Sequence, residues 1–224
     1  MIDIPPINAR RIKTAPSGEA HKKGQTPDRV PVAPIFVIGY AAELFGVPRN
    51  EAYANPSLAV KLKLAASEFL GTEPDYSYTP GTVAWVEDYG GKITMRPDSD
   101  APYVEERPLK TPEDIERLEV KDVDEISKGP TMTKQLEALE TAKKLLDPID
   151  RSLFGAYNYC WEPFGIACHW LGYEKVLLWI RKEPMLIHKL MRKVVEHCVN
   201  TNIAVAGKYG QCSIFTGSVF ANAE

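Results

Sequence analysis

His169 combines a chemistry-bearing side chain with a spacing that could use it. It lies four positions after Gly165, so both fall on one face of a helix. Helical side chains lean back toward the N-terminus, and a glycine one turn earlier leaves the imidazole unobstructed. Two readings of His169 stand: a hydrogen-bonded core histidine, and a polar handle in an apolar pocket. Cys168 is about 100° away around the helix, so the Cys-His pair is poor chelating geometry and implies no zinc. Cys160, Cys168, Cys198 and Cys212 have no CxxC spacing, and no two cysteines or histidines share a helical face at ligand spacing. No transition metal is expected within the chain. His188 and His197 are nine residues apart, about 180° around a helix, and are expected at the surface or its boundary. Glu87-Asp88 is a carboxylate pair that could do acid–base work. On a strand, adjacent residues face opposite ways, so the pair is expected as surface charge.

His169 depends on the elements that carry it. Ser152 to Trp161 has the apolar character of a strand covered on both faces. Glu162-Pro163 ends it, and Pro163 suits the first turn of the short apolar helix from Phe164 to Leu171. A buried strand feeding a helix N-terminus is a βα unit, the junction where parallel α/β folds collect their chemistry.

The remaining elements follow in order. Residues 1–26 form a Pro- and Lys-rich arm. Thr26 to Val32 is a turn leading into a first strand, Val30 to Ile38, followed by a short helix or turn from Gly39 to Gly46. Asn55-Pro56 starts a helix that runs to about Leu70 and stops at Gly71. Glu73 to Gly81 is a second strand, with Asp75 at a turn or strand start. Val83 to Val86 and Lys92 to Arg96 read as a hairpin turning at Gly90-Gly91, with Tyr103 to Pro108 extended beyond it. Thr111 caps a helix opened by Pro112. Helices follow over Met132 to Leu146 and Tyr173 to Arg181. A long one from Pro184 carries Ile187, Leu190, Met191, Val194, Val195 and Cys198 on one stripe and ends at Gly210. Cys212 to Gly217 is the strand placed fourth, and Ser218 to Glu224 its loop.

Composition narrows the function. A net charge of −3 without a basic block argues against nucleic acid. No apolar run approaches the ~18 residues of a membrane span, and no signal pattern opens the chain. Cysteines without a disulfide framework indicate a reducing, cytoplasmic setting.

Several stretches resemble the uroporphyrinogen decarboxylase superfamily. Trp161-Glu162-Pro163-Phe164-Gly165-Ile166 is similar to its Gly-x-x-Gly-Pro-Phe/Trp-Thr-Leu stretch. Pro27-Asp28-Arg29-Val30-Pro31 resembles the opening of its methyltransferases. Pro108-Leu109-Lys110-Thr111-Pro112-Glu113-Asp114-Ile115-Glu116-Arg117-Leu118 resembles the run that closes its β insertion. The decarboxylase branch carries an Arg-Gln-Ala-Gly-Arg motif after the first strand. Here no arginine occurs between Arg29 and Arg49, and a polycarboxylate substrate needs such guanidinium groups.

The resemblance implies an α/β fold: a (β/α)₈ TIM barrel of the uroporphyrinogen decarboxylase type, about the first half present. An N-terminal arm would cover 1–26, and the barrel portion 27–224, with a β insertion near 83–109. It implies a corrinoid-linked methyltransferase that moves a methyl group between a cobamide on a partner corrinoid protein and a thiol or pterin acceptor. Uroporphyrinogen decarboxylase and a non-catalytic half-barrel subunit are the alternatives. Zinc is possible in the thiol branch, but its ligands would lie beyond Glu224. Asp75 matches the segment holding the decarboxylase's functional aspartate, and His169 stands where the family has tyrosine. These two are the candidate catalytic residues, expected to approach one cavity. Tyr40, Tyr78, Tyr159, Trp161 and Phe164 are the candidate substrate-binding residues. A homo-oligomer, or a second chain completing the barrel, is expected as well, since an open half barrel exposes strand edges.

Overall fold

The computed structural model describes residues 34–78, 85–96, 101–149, 151–160, 162–210 and 212–216, together with residues 24, 26, 32, 83 and 99. The expected arm, the turn at Pro27 to Pro31, the end of the second strand and the loop after the fourth fall outside them almost entirely. Two compact units divide the chain. The first comprises residues 1–78, 97–100 and 137–154, and the second comprises 79–96, 101–136 and 155–224.

The first unit is helical. It contains α1 (Ile38–Leu44), α2 (Arg49–Ala54) and α3 (Pro56–Leu70). The limits of α3 are set by local chemistry. Asn55 accepts the Leu58 N–H at 2.9 Å, Pro56 takes the first turn, and Gly71 closes it at φ 67°. Val60, Leu62, Leu64 and Ala66 of α3 enter a core with Ile38, Ala41, Ala42, Tyr78, Ala138, Ala142 and Leu146.

The first two expected strands lie here in altered form. Residues 34–37 and 72–78 are not strands, although the two segments run together. The Glu73 N–H donates to the Val32 carbonyl at 2.9 Å, and the Phe36 N–H donates to Asp75 Oδ2 at 2.7 Å. A side-chain carboxylate thus takes a place that a backbone carbonyl would hold in a ladder, and Pro34 has no N–H to give.

The second unit holds the sheet pairs. β1 (Lys92–Thr94) and β2 (Tyr103–Glu106) are antiparallel. The hairpin therefore turns between Thr94 and Tyr103. Val83 to Val86 is not its partner: Glu87–Tyr89 is a 3₁₀ turn closed by Gly90 at φ 83°. Next come α4 (Pro112–Arg117), α5 (Val123–Lys128) and α6 (Pro130–Leu146), whose later part supplies Ala138, Ala142 and Leu146 to the first unit's core. Thr111 and Asp114 make a reciprocal capping box on α4. Then follow β3 (Tyr157–Cys160), α7 (Pro163–Leu171), α8 (Tyr173–Lys182), α9 (Pro184–Tyr209) and β4 (Ser213–Thr216). β3 and β4 are parallel, with Tyr157 opposite Ser213 and Cys160 opposite Thr216. This parallel pair, joined through helices, is the βα arrangement expected of the family's barrel.

Asn158 ties β3 to its helices. Its amide nitrogen donates to Thr201 Oγ1 at 3.1 Å and Asn202 Oδ1 at 3.0 Å, and its oxygen accepts from Gln135 Nε2 at 3.0 Å. A buried amide in the sheet is tolerated because each polar atom is paired. On α9 the buried stripe is Ile187, Leu190, Val194, His197, Cys198, Thr201, Ala204 and Val205. Val195 is 46% exposed and lies off it.

Two expectations about charge are corrected here. Asp88 is buried rather than solvated, and it accepts the Thr131 hydroxyl at the start of α6. The segment turns instead of running as a strand, which folds one carboxylate inward; burial raises its pKa, opposed by Thr131. Glu87 meets Lys134 at 3.7 Å. His197 is fully buried, not at the boundary, with rings of Trp85, Tyr89 and Trp170 at 4.8, 5.3 and 5.4 Å. It pairs with the Tyr89 hydroxyl at 3.0 Å through Nδ1. Burial, then Lys121, pushes it down to about 3, so it is neutral at physiological pH.

Candidate functional site

In the first unit, Asp75 is the candidate, and its carboxylate is saturated. Oδ1 accepts the Ser77 N–H at 2.8 Å and the Ser77 hydroxyl at 2.6 Å. Oδ2 accepts the Phe36 N–H at 2.7 Å and pairs with Lys63 Nζ at 3.1 Å. Lys63 also donates to Ser77 Oγ at 2.6 Å. Both members of the ion pair are buried. Burial lowers the Lys63 pKa, and Asp75 opposes that shift through its charge and hydrogen bond. The arrangement joins helix α3 to the two extended segments. It closes a structural knot and leaves neither oxygen bare.

Tyr78, of the same unit, is buried and spends its hydroxyl on the Tyr53 carbonyl at 2.9 Å. Tyr40 is exposed and stacks on Phe36, with ring centroids 5.7 Å apart. Of the two, only Tyr40 presents its ring to solvent.

In the second unit, α7 carries the other candidates. Pro163 starts this helix, and Ile166, Ala167, Cys168, Trp170 and Leu171 are buried around most of it. His169 is half-buried, and its ring meets Tyr173 edge-on at 5.7 Å. Arg107, just past β2, donates through Nη1 to the His169 carbonyl at 3.1 Å. The Leu109 N–H donates to the Trp170 carbonyl at 3.0 Å. A guanidinium at the helix C-terminus suits the negative end of its dipole. Burial first, then the Arg107 charge, pushes the His169 imidazole down to about 4. His169 is therefore neutral at physiological pH, one nitrogen able to donate and the other to accept. The Cys168 thiol is buried and pushed up to about 11 by burial, then by Glu162; it is not a ready thiolate.

The space at Gly165 is not an open path for the imidazole. A Cβ built there would lie 2.5 Å from Glu162 Oε1. The Glu162 side chain folds over the first turn of α7 and fills the place that glycine leaves. Glu162 is 5% exposed, and among the described residues neither carboxylate oxygen has a hydrogen-bond partner. Sequence reasoning passed over this residue. The signal was there: Glu162 stands where the resembled stretch has glycine, and Gly165 where it has threonine.

Phe164 is half-buried beside Glu162. Trp161 lies outside the described residues, as does the side chain of Tyr159; the Tyr159 backbone is in β3 opposite Phe215. Asp75 belongs to the first unit and His169 to the second. Among the described residues, no three of His, Cys, Asp and Glu come together as a metal site would require. No helix among them is long and apolar enough to cross a membrane. An open groove of about 840 Å³ between α4, α8 and α9 includes Glu113, Trp179, Met185 and His188, and shares no residue with this site.

The family model for uroporphyrinogen decarboxylase (URO-D) matches residues 19–219, and the chain belongs to that family. A solved structure, a methyltransferase from Methanosarcina mazei, superposes with a TM-score of 0.68 at 24% identity. The alignment covers 88% of this chain and 57% of that one. The chain thus spans little more than half the length of that protein, with which it shares its fold. No curated protein matches it.

Proposed function

We propose that this uroporphyrinogen decarboxylase family member is part of a corrinoid-linked methyltransferase, with the chain forming the first half of the barrel. The observation that carries the reading is the segment after residue 37. Where a polycarboxylate porphyrinogen would need guanidinium groups, the chain places α1, whose Ile38, Gly39, Ala41 and Ala42 are buried. No arginine lies between Arg29 and Arg49. The saturation of Asp75 supports the same conclusion: to hold pyrrole N–H groups it would have to release donors it already has. The fold shared with a protein named as a methyltransferase is consistent with it.

A cobamide on a partner protein would supply a methyl group that leaves cobalt without its bonding electrons. The described residues do not fit a resident zinc, because no ligand trio forms among them. His169, kept neutral by burial and Arg107, can orient an acceptor by one hydrogen bond or take its proton. Tyr159, Trp161 and Phe164, all of the second unit, are proposed to contact the substrate. Asp75 acts as a positioning residue that fixes the extended segments beside α3. A homo-oligomer, or a second chain completing the barrel, belongs to the same proposal.

The test uses the full-length protein with methylcobalamin and a panel of thiols and reduced pterins. Acceptor-dependent loss of the methylcobalamin spectrum is the expected result, reduced in His169→Ala. Decarboxylation of uroporphyrinogen, with no demethylation, overturns the proposal.

A further inference from the structure

We infer that Glu162 is the anchor of a binding site for a planar cation presenting two parallel N–H groups, an amidinium or guanidinium edge. This goes beyond the methyl-transfer reading and does not rest on it. Glu162 is only 5% exposed, and both oxygens are without a hydrogen-bond partner among the described residues. A buried carboxylate left so is costly, and native structures rarely keep one without use. Asp75 shows that this chain can satisfy a buried carboxylate fully.

The local structure holds Glu162 in this state. It is the residue before the first turn of α7, yet its side chain caps no helix N–H. Gly165 supplies the room, since any Cβ there would displace Oε1. The positive end of α7 stabilises negative charge at this place without consuming a lone pair. Arg107 Nη1 donates to the His169 carbonyl, at the other end of α7, and its side chain packs against Gly172. Both oxygens are unpaired among the described residues but covered, so an incoming group meets them by displacing the side chains over them. A ligand with one positive charge and two parallel donors satisfies both, as in a bidentate arginine–carboxylate pair. An anion would be repelled by Glu162, although a helix N-terminus alone would attract it.

The competition between Glu162 and the helix end makes the test sharp. Benzamidine and benzoate have the same shape and opposite charge. Each is titrated into the full-length protein and followed by ligand-observed NMR and calorimetry. Benzamidine is expected to bind and benzoate not. Glu162→Gln is expected to weaken benzamidine by about tenfold or more, since it removes the charge-assisted pair. Gly165→Ala, which drives the carboxylate from its place, is expected to do the same without altering any charge. It also carries the test should Glu162→Gln fail to fold. Benzoate binding as tightly as benzamidine, no benzamidine binding, or undiminished binding in a folded variant each overturns the inference.

Discussion

Two buried carboxylates, one in each unit, are treated in opposite ways. Asp75 in the first unit receives two N–H groups, a hydroxyl and an ammonium. Glu162 in the second receives no donor from the described residues. Both have side chains of the same chemistry, and both are buried. The difference teaches where each belongs. A saturated carboxylate is part of the architecture, because every donor on it is also being satisfied by it. An unsatisfied one weakens the fold and persists where something else uses it.

The contrast can be broken most forcefully at Asp75. Asp75→Ala leaves Lys63 charged and buried without its partner, and frees the Phe36 and Ser77 N–H groups. A loss of about 3–5 kcal/mol is expected, seen as a lower urea midpoint. The double variant Asp75→Ala/Lys63→Met should recover part of it. A loss no larger than that of an exposed ion pair would show that Asp75 is not structural.

A pH series sharpens the second unit's side. His197 has a folded pKa of about 3, below the ordinary 6.5. The unfolded chain therefore binds this proton first. Stability from His197 is full above pH 6.5 and falls as the pH drops toward 3, by up to about 1.4 kcal/mol per unit. His169, with a folded pKa of about 4, adds a slope of the same sign and similar size that levels off sooner as the pH falls. Urea midpoints at about pH 7, 6 and 5 should decline in the parent and more gently in His197→Phe. Equal slopes in both would contradict the buried, neutral imidazole.

Glu162 gives the inverse of Asp75. Glu162→Met keeps the length, removes the uncompensated carboxylate, and should raise stability by about 1–2 kcal/mol. Thermal unfolding reads this directly, and destabilisation would mean that the carboxylate has a structural partner. The smallest effect is expected at Asn55, away from both carboxylates. Asn55→Ala removes the Leu58 N–H acceptor and should cost about 1 kcal/mol by chemical denaturation.

What the amino-acid order reveals follows the range of the forces involved. Asn55-Pro56 with Gly71, Thr111-Pro112, Pro163 and Pro184 with Gly210 all mark helix limits seen in the structure. These are local signals, carried within a turn of the residues that obey them. The parallel β3–β4 pair was also legible, from apolar runs separated by helices. The short helices α2 and α5 were not: six residues hold too little periodicity, α2 has no side-chain cap, and the Asp122–Glu125 capping box of α5 went unread. Asp88 and His197 were misplaced because their burial depends on residues tens of positions away: Thr131 for one, Trp85 and Tyr89 for the other. At the candidate site, the helix under His169 was legible. Arg107's grip on its carbonyl was not, because the segment after β2 meets α7 only in the folded chain. Glu162 stood within the recognised motif, and its meaning depended on whether its oxygens found partners.

The contact between Glu162 and Gly165 also bears on the order in which the two positions change. A glutamate placed over a residue with a side chain at position 165 has to swing its carboxylate aside, as the 2.5 Å approach shows. Glycine at position 165 leaves only a small gap, at a cost of about 0.5–1 kcal/mol within a helix. From the motif's glycine and threonine, losing the threonine side chain first lets the carboxylate enter its present place directly, whereas gaining the carboxylate first holds it elsewhere until position 165 is cleared. A relative whose glutamate at the first position folds over the helix as here is expected to carry glycine at the second.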